Sequence, residues 1–181
     1  SFNQSSAQAE ASSTVTSAWA LDWLKDRDWS EEELRCALRA QQVDDEAIED
    51  VCRAFREYNY VNDARLAHQQ TRMWMEQGWG PQHIRRKLTE RGVPLELVMD
   101  ALAVCALDGP HVWEQHAQAW VRAWFGKPPQ ALERAQQLRA YRLLRHRGFV
   151  ASVAFHLLWG QTSAPHPTHQ SPHRSSQPYV S

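Results

Sequence analysis

Apolar side chains between residues 17 and 160 recur at intervals of three and four, and they do not alternate with polar ones over the length of a strand. This spacing predicts helices and no strands. Ser30 opens a Ser-Glu-Glu-Glu segment typical of a capping box, Asn62 is suited to cap a further helix, and Asn59 lies in a turn that tolerates a left-handed backbone. Four more helices are predicted to begin at Pro81, Pro94, Pro110 and Pro129. These signals predict about nine short helices.

One hydrophobic spacing occurs twice and recurs more loosely a third time. The copies are Trp29, Leu34, Leu38, Val43 and Ile48; Trp79, Ile84, Leu88, Val93 and Val98; and Ala140, Leu144, Phe149 and Val153, with Arg147-Gly148-Phe149 aligned to Arg91-Gly92-Val93. Each unit then has three helices, and stacking of units buries apolar surface that one unit alone would expose. We predict an elongated all-α array of three tandem three-helix repeats at residues 17–58, 59–107 and 108–160. The polar compositions of 1–16 and 161–181 predict disordered tails.

The 181 residues carry a formal net charge of only −1, but the charges are unevenly distributed. Residues 22–57 contain six basic and twelve acidic residues, whereas residues 122–147 contain seven basic residues and one acidic residue. This distribution favours an anionic partner for the later part of the chain, because local charge governs such contacts more than the sum does.

Two groups of basic residues are the candidate contacts for a partner or for DNA. Arg85, Arg86 and Lys87, with Arg91, lie on or next to the second helix of the middle unit, where Ile84 and Leu88 should point inward. The second group is Arg139, Arg142, Arg145 and Arg147, whose first three members share one side of a helix. Both groups suit DNA phosphates or acidic protein surface. The alternative interpretation is an ordinary solvated helix face.

The nine tryptophans could provide stacking platforms for single-stranded nucleic acid. Core packing is the favoured interpretation, because Trp29, Trp79 and Trp124 recur near the first turn of each unit. Trp74, Trp120 and Trp159 also favour core packing, because they lie on the apolar faces of predicted helices. We therefore expect the tryptophans to support the fold.

Several classes of site are not expected. The sequence has no nucleotide-binding Gly-rich loop, no nucleophile elbow and no carboxylate pair in an acid–base setting, so we expect neither an enzyme nor a cofactor. His111 and His116 lack a metal-ligand motif, and His166, His169 and His173 lie in the predicted tail. The three cysteines and the short apolar stretches favour a soluble, cytoplasmic protein with no membrane association. We also expect a monomer.

An ordered set of segments carries a family resemblance from residue 18 to residue 159. The segments are 27–34 (RDWSEEEL), 60–67 (YVNDARLA), 78–88 (GWGPQHIRRKL), 91–93 (RGV) and 143–149 (LLRHRGF). In this order they resemble the RecX family. The chain departs from the usual pattern at Asn59, where a Gly is common, and in its high tryptophan content.

The resemblance implies a protein of DNA repair and the SOS response that binds the RecA filament on single-stranded DNA in its helical groove. It further implies inhibition of the ATPase, recombinase and co-protease activities of RecA. Two alternatives stay open: a helical regulator that reads duplex DNA through a helix-turn-helix-like repeat, and a protein-only adaptor. The acidic cluster at residues 44–50 is expected to complement a helix dipole, or else to pair with basic RecA surface.

Overall fold

The computed structural model describes residues 16–109 and 111–160. Within these ranges the chain forms nine α-helices and no strand, as predicted. The helices are α1 (16–23), α2 (Glu31–Ala40), α3 (Asp45–Glu57), α4 (Asp63–Glu76), α5 (Pro81–Glu90), α6 (Leu95–Ala106), α7 (Val112–Phe125), α8 (Arg134–His146) and α9 (Ala151–Trp159). They form an elongated array of three tandem three-helix repeats. The predicted tails lie outside the described residues, except for Thr16, which is helical.

Three predicted helix starts are confirmed, at Ser30, Asn62 and Pro81. Ser30 accepts from the Glu33 amide at 3.0 Å while its own amide donates to the Glu33 carboxylate at 2.9 Å, which completes the capping box. The Asn62 side chain caps α4, and Asn59 has a left-handed backbone with φ of 57°. Pro81 is the first residue of α5.

The remaining prolines behave differently. Pro94 precedes the first residue of α6, where it takes the cap position. Pro129 was predicted to begin an α-helix, but it begins only a 3-10 turn, Pro129–Ala131. The α-helix itself begins at Arg134. The Glu133 amide, just before it, donates a hydrogen bond to the Gln136 side chain at 3.1 Å. Pro110 lies outside the described residues.

Each unit has its own hydrophobic core at repeated positions. The fully buried sets are Leu34, Leu38 and Ile48; Ile84, Leu88 and Val98; and Ala140, Leu144 and Ala154. The third copy therefore ends at Ala154, and the prediction of Val153, which is half-buried, is wrong by one position. Within units, α2 packs on α3, α4 packs on α5 and α6, and α9 packs on α7 and α8.

Units 1 and 2 meet at a polar contact that we call the first joint, formed by Asp28, Ser30, Glu33, Arg91 and Gly92. The Ser30 hydroxyl donates to the Arg91 carbonyl oxygen. The Arg91 guanidinium donates to both Glu33 carboxylate oxygens, at 2.9 and 3.0 Å, and to the Asp28 carbonyl at 2.7 Å. The turn between α5 and α6 is thereby fastened to the start of α2.

Units 2 and 3 meet in the same way, at a second joint formed by Gly78, Gly80, Gln82, Arg147 and Gly148. The amides of Gly80 and Gln82 donate to the carbonyl oxygens of Arg147 and Gly148, at 2.8 and 3.0 Å. Gly148 has φ of +86°, and a Cβ there would overlap α5 backbone. Only glycine therefore satisfies both the turn and the close approach.

Candidate partner-binding surface

The basic run of α5 points away from the core of unit 2, as predicted. Arg85 and Arg86 are exposed and Lys87 is half-buried. Glu90 accepts from Lys87 at 3.1 Å and lies 3.7 Å from Arg86, so this carboxylate partly neutralises the run. Its hydrogen bond with Lys87 also holds the pKa of Glu90 below its ordinary value. Within the described residues no carboxylate pairs with Arg85.

The arginines of α8 form an exposed row on unit 3. Arg139, Arg142 and Arg145 all lie in solvent, on the side of the helix opposite the buried Ala140 and Leu144. Arg145 donates to the Phe149 carbonyl oxygen at 2.7 Å, which fixes its position. No carboxylate in the described ranges pairs with this row, so its charge is available to an outside partner.

The structure brings one residue of each predicted group to the same groove. This junction groove, of about 190 Å³, is lined by Gln82, His83, Arg86, Arg145, His146 and Gly148. Arg86 comes from α5 of unit 2 and Arg145 from α8 of unit 3, although 59 residues separate them along the chain. The second joint therefore joins two basic groups that the sequence presents as separate.

Sequence reasoning did not single out His83 and His146 as part of this site. His83 lies one turn before Lys87, and its Nδ1 lies 3.3 Å from a terminal nitrogen of Arg86. Burial, followed by the neighbouring charges of Arg86, Lys87 and His146, lowers the pKa of His83. The sequence did contain a signal for both histidines: each lies within three residues of an arginine, in a segment that belongs to the repeated pattern.

Arg91 and Arg147, which the sequence placed among the candidate contacts, lie in the two joints instead. Both side chains donate to backbone carbonyl oxygens of the preceding unit, and these oxygens occupy equivalent positions at Asp28 and Gly78. Arg91 also pairs with Glu33. Their alignment before a glycine in two units was a sequence signal for this shared structural position.

Arg147 also lies within a stack of rings that spans the second joint, which we call the aromatic ladder. Its Cζ atom is 4.4 Å from the ring centroid of Trp79 and 4.6 Å from that of Trp120. His83 stacks on Trp79 at 3.9 Å between ring centroids, and Trp124 stacks on Trp120 at 5.5 Å. The ladder therefore connects the junction groove to α7.

The prediction that the tryptophans pack in the fold is confirmed for most of those named and is wrong for one. Trp29, Trp74, Trp79, Trp120 and Trp159 are all partly buried. Trp124 is 56% exposed. It lies on the first helix of unit 3, whereas Trp29 and Trp79 precede second helices, so it does not occupy their repeat position.

The described ranges contain neither a metal-binding cluster nor a helix able to cross a membrane. No group of three or more His, Cys, Asp and Glu side chains there is arranged to hold a metal ion. His111 pairs with Glu114 at 3.1 Å. None of the helices in 16–109 and 111–160 combines the length and the apolar character that a bilayer span requires.

Comparison with known proteins identifies relatives over most of the chain. The family model described as RecX, second three-helix domain, matches residues 62–102. The regulatory protein RecX of Stenotrophomonas maltophilia (strain R551-3) is 36% identical over 131 residues, covering 72% of this chain and 77% of that protein. The regulatory protein RecX of Pseudomonas putida (strain W619) is 33% identical over 144 residues, covering 78% and 88%.

A solved structure supports the same fold. The crystal structure of RecX from Lactobacillus salivarius superposes with a TM-score of 0.69, covering 82% of this chain and 96% of that one. Its sequence is 17% identical. At this identity the likeness establishes the arrangement of helices only.

Proposed function

The chain belongs to the RecX family of regulatory proteins, and from that premise we propose that it binds the RecA filament on single-stranded DNA in its helical groove and inhibits RecA. The inhibited activities are the recombinase, ATPase and co-protease activities. The observation that carries the proposal is the meeting of two exposed basic groups, from different units, at a junction groove that the second joint holds in place.

The contacting residues in this proposal are Arg85, Arg86 and Lys87 of α5 together with the row on α8, Arg139, Arg142 and Arg145. Arg91 and Arg147 contribute by fixing how the units are joined. The unpaired arginines of α8 support an external role, because like charges on one face repel one another until a partner neutralises them. The joints support a unit arrangement that stays fixed while the charges engage the partner.

Inhibition needs no chemistry by this chain. A jointed array that bridges neighbouring RecA subunits, and that fits one filament geometry, opposes the geometries that ATP turnover and strand exchange require. The size of the effect equals the difference in its affinity for the two filament states. Because the units are joined by hydrogen bonds and ring contacts, bending the array to follow the filament costs free energy.

The test compares binding to RecA-coated single strands, bare single strands and bare duplex, together with inhibition of the RecA ATPase. We expect RecA-coated strands to be bound most tightly and the ATPase to be inhibited. Reversing the charges of Arg85, Arg86 and Lys87 together should weaken inhibition. Arg72→Glu should not, because this exposed arginine lies on α4, away from the junction groove.

Three results would contradict the proposal. Preference for bare duplex would favour the helix-turn-helix-like DNA reader. Binding to RecA without any dependence on salt when DNA is present would favour the protein-only adaptor. Unchanged inhibition by the charge-reversed variant would remove the α5 run from the mechanism.

A further inference from the structure

The junction groove has the dimensions and charge of a site for one small anion. Arg86 and Arg145 approach it from different units, and His83 and His146 complete its basic lining. None of the six lining residues is acidic. At about 190 Å³ the groove is too small to receive a helix of a partner protein, whose diameter is about 10 Å.

The groove is continued in one direction by the arginine row of α8. Arg145 lines the groove, and Arg142 and Arg139 follow at intervals of three residues, each about 4.5 Å further along the helix. A nucleic-acid strand offers a matching series, because its backbone carries one negative charge per nucleotide at regular intervals. Acidic protein surfaces usually mix both signs of charge, so they match an uninterrupted row less well.

The chemistry of the lining residues suits a phosphate. The planar guanidinium presents paired donors that match two phosphate oxygens, and it remains charged at any physiological pH. Two guanidiniums that reach the groove from different units can contact different oxygens of one phosphate. The neutral Gln82 side chain and the imidazoles supply further hydrogen-bonding atoms.

We propose that the junction groove binds one backbone phosphate of a nucleic-acid strand between Arg86 and Arg145, and that Arg142 and Arg139 contact the phosphates that follow. This inference deepens the proposed function and rests on it, since the filament supplies the strand. It adds a ligand class and a defined position, and it gives the second joint a binding role as well as a structural one.

His83 gives the site a pH dependence. The charged groups that face it are Arg86, Lys87 and Glu90 on α5, Arg145 and His146 on α8, and Arg147 across Trp79. In the empty groove, burial and the surrounding positive charge lower the pKa of His83 and favour its neutral form. A bound phosphate stabilises the protonated imidazole, so binding tightens as pH falls towards the range in which His83 titrates.

The experiment measures binding of a fluorescently labelled oligothymidylate by anisotropy over a series of salt concentrations. The variants are Arg86→Gln, Arg145→Gln and their combination, with Arg72→Gln as the matched control for charge. Each single change should weaken binding about tenfold and leave the slope of log K against log salt nearly unchanged, because the remaining arginine still neutralises the phosphate. The combined variant should make that slope shallower by about 0.7, the value for one phosphate on a single strand, because both arginines hold the same phosphate.

Arg145→Lys separates charge from backbone support. It keeps the positive charge while changing the hydrogen bond to Phe149, so its salt slope should stay near that of the unaltered protein. Circular dichroism of every variant checks that the helices remain intact. Arg86→Gln, whose side chain donates to no backbone carbonyl of the described chain, provides the same test without disturbing that bond.

Additive losses of about 1.4 in slope for the combined variant would show two independent surface charges and overturn the shared phosphate site. Unchanged oligothymidylate binding with weaker binding to RecA-coated strands would assign the groove to acidic protein surface. Failure of the unaltered protein to bind oligothymidylate would also overturn the inference. By contrast, groove-dependent strand binding without inhibition of the RecA ATPase would refute the proposed function and leave the phosphate site standing.

Discussion

Replacing Arg147 by alanine should weaken the second joint more than any other loss of a single basic side chain at the unit 2–3 boundary. The guanidinium donates to the carbonyl oxygens of Gln77 and Gly78 at 3.0 and 3.2 Å, and it lies between the rings of Trp79 and Trp120. Alanine removes all four contacts. It also leaves the Gly78 carbonyl oxygen, in a buried turn, without that donor.

The expected cost follows from these contacts. Hydrogen bonds from a charged donor contribute about 1.5–3 kcal/mol. Two cation–π contacts add about 0.5–1 kcal/mol each. Burial of the guanidinium opposes these gains, and it also lowers the pKa of Arg147. The net loss in the free energy of unfolding should therefore be about 2–3 kcal/mol.

Urea unfolding followed by tryptophan fluorescence measures this loss, because the two rings that contact Arg147 belong to Trp79 and Trp120. Arg142→Ala is the matched control: it removes the same charge from an exposed position of α8, the helix that ends just before Arg147, and should change stability by less than about 0.5 kcal/mol. Arg147→Lys should recover only part of the loss, since an ammonium lacks the planar fork that fits between two rings.

A result for Arg147→Ala that matches Arg142→Ala would refute the reasoning. It would mean that the carbonyl oxygens exchange the guanidinium for water without loss, and that the rings gain nothing from the cation. The unit boundary would then depend on the amide hydrogen bonds of Gly80 and Gln82 and on apolar packing such as that of Trp113, which contacts the cores of both units.

Three further outcomes are expected. Gly148→Ala should destabilise the protein by about 2–5 kcal/mol, because it combines left-handed backbone strain with overlap on the α5 backbone. Gly126→Ala, with φ of +67° and open space around it, should cost only the strain, about 1–2 kcal/mol. Thermal unfolding of the two variants measures the difference. Thr71→Val should be neutral or stabilising by up to about 1–3 kcal/mol in urea unfolding, because the buried Thr71 hydroxyl has no hydrogen-bond partner within the described structure. Burial alone would raise the pKa of Glu33, but hydrogen bonds, led by the one from Arg91, outweigh burial and lower the pKa below the ordinary 4.5. The stability that this carboxylate contributes is therefore present above pH 4.5 and is lost as pH falls through the lowered pKa. Glu33→Gln should flatten the stability–pH curve in that range.

Much of the fold could be predicted because its signals are local. The capping box at Ser30, the cap at Asn62 and the proline at the start of α5 act through neighbours within three residues, so the sequence displays them directly. The repeated apolar spacing also displays the core. Pro129 was misread because a proline suits the first turn of a 3-10 helix as well as that of an α-helix.

The site was less predictable, because it depends on contacts between units. Arg86 and Arg145 look like two separate surface charges until the second joint brings them to one groove. Arg91 and Arg147 look like two more, yet their partners lie about sixty to seventy residues away. In the sequence, an arginine next to a glycine indicates a turn, but it does not indicate which neighbouring unit that turn packs against.

The two joints share a position in the repeat and differ in what strengthens them. Salt and acid weaken the Glu33–Arg91 pair, whereas the rings around Arg147 respond much less to either. The arrangement of units 2 and 3 should therefore depend less on salt and pH than the attachment of unit 1 does. Conditions that weaken the first joint should therefore change how firmly unit 1 is held against unit 2, without changing how units 2 and 3 are joined.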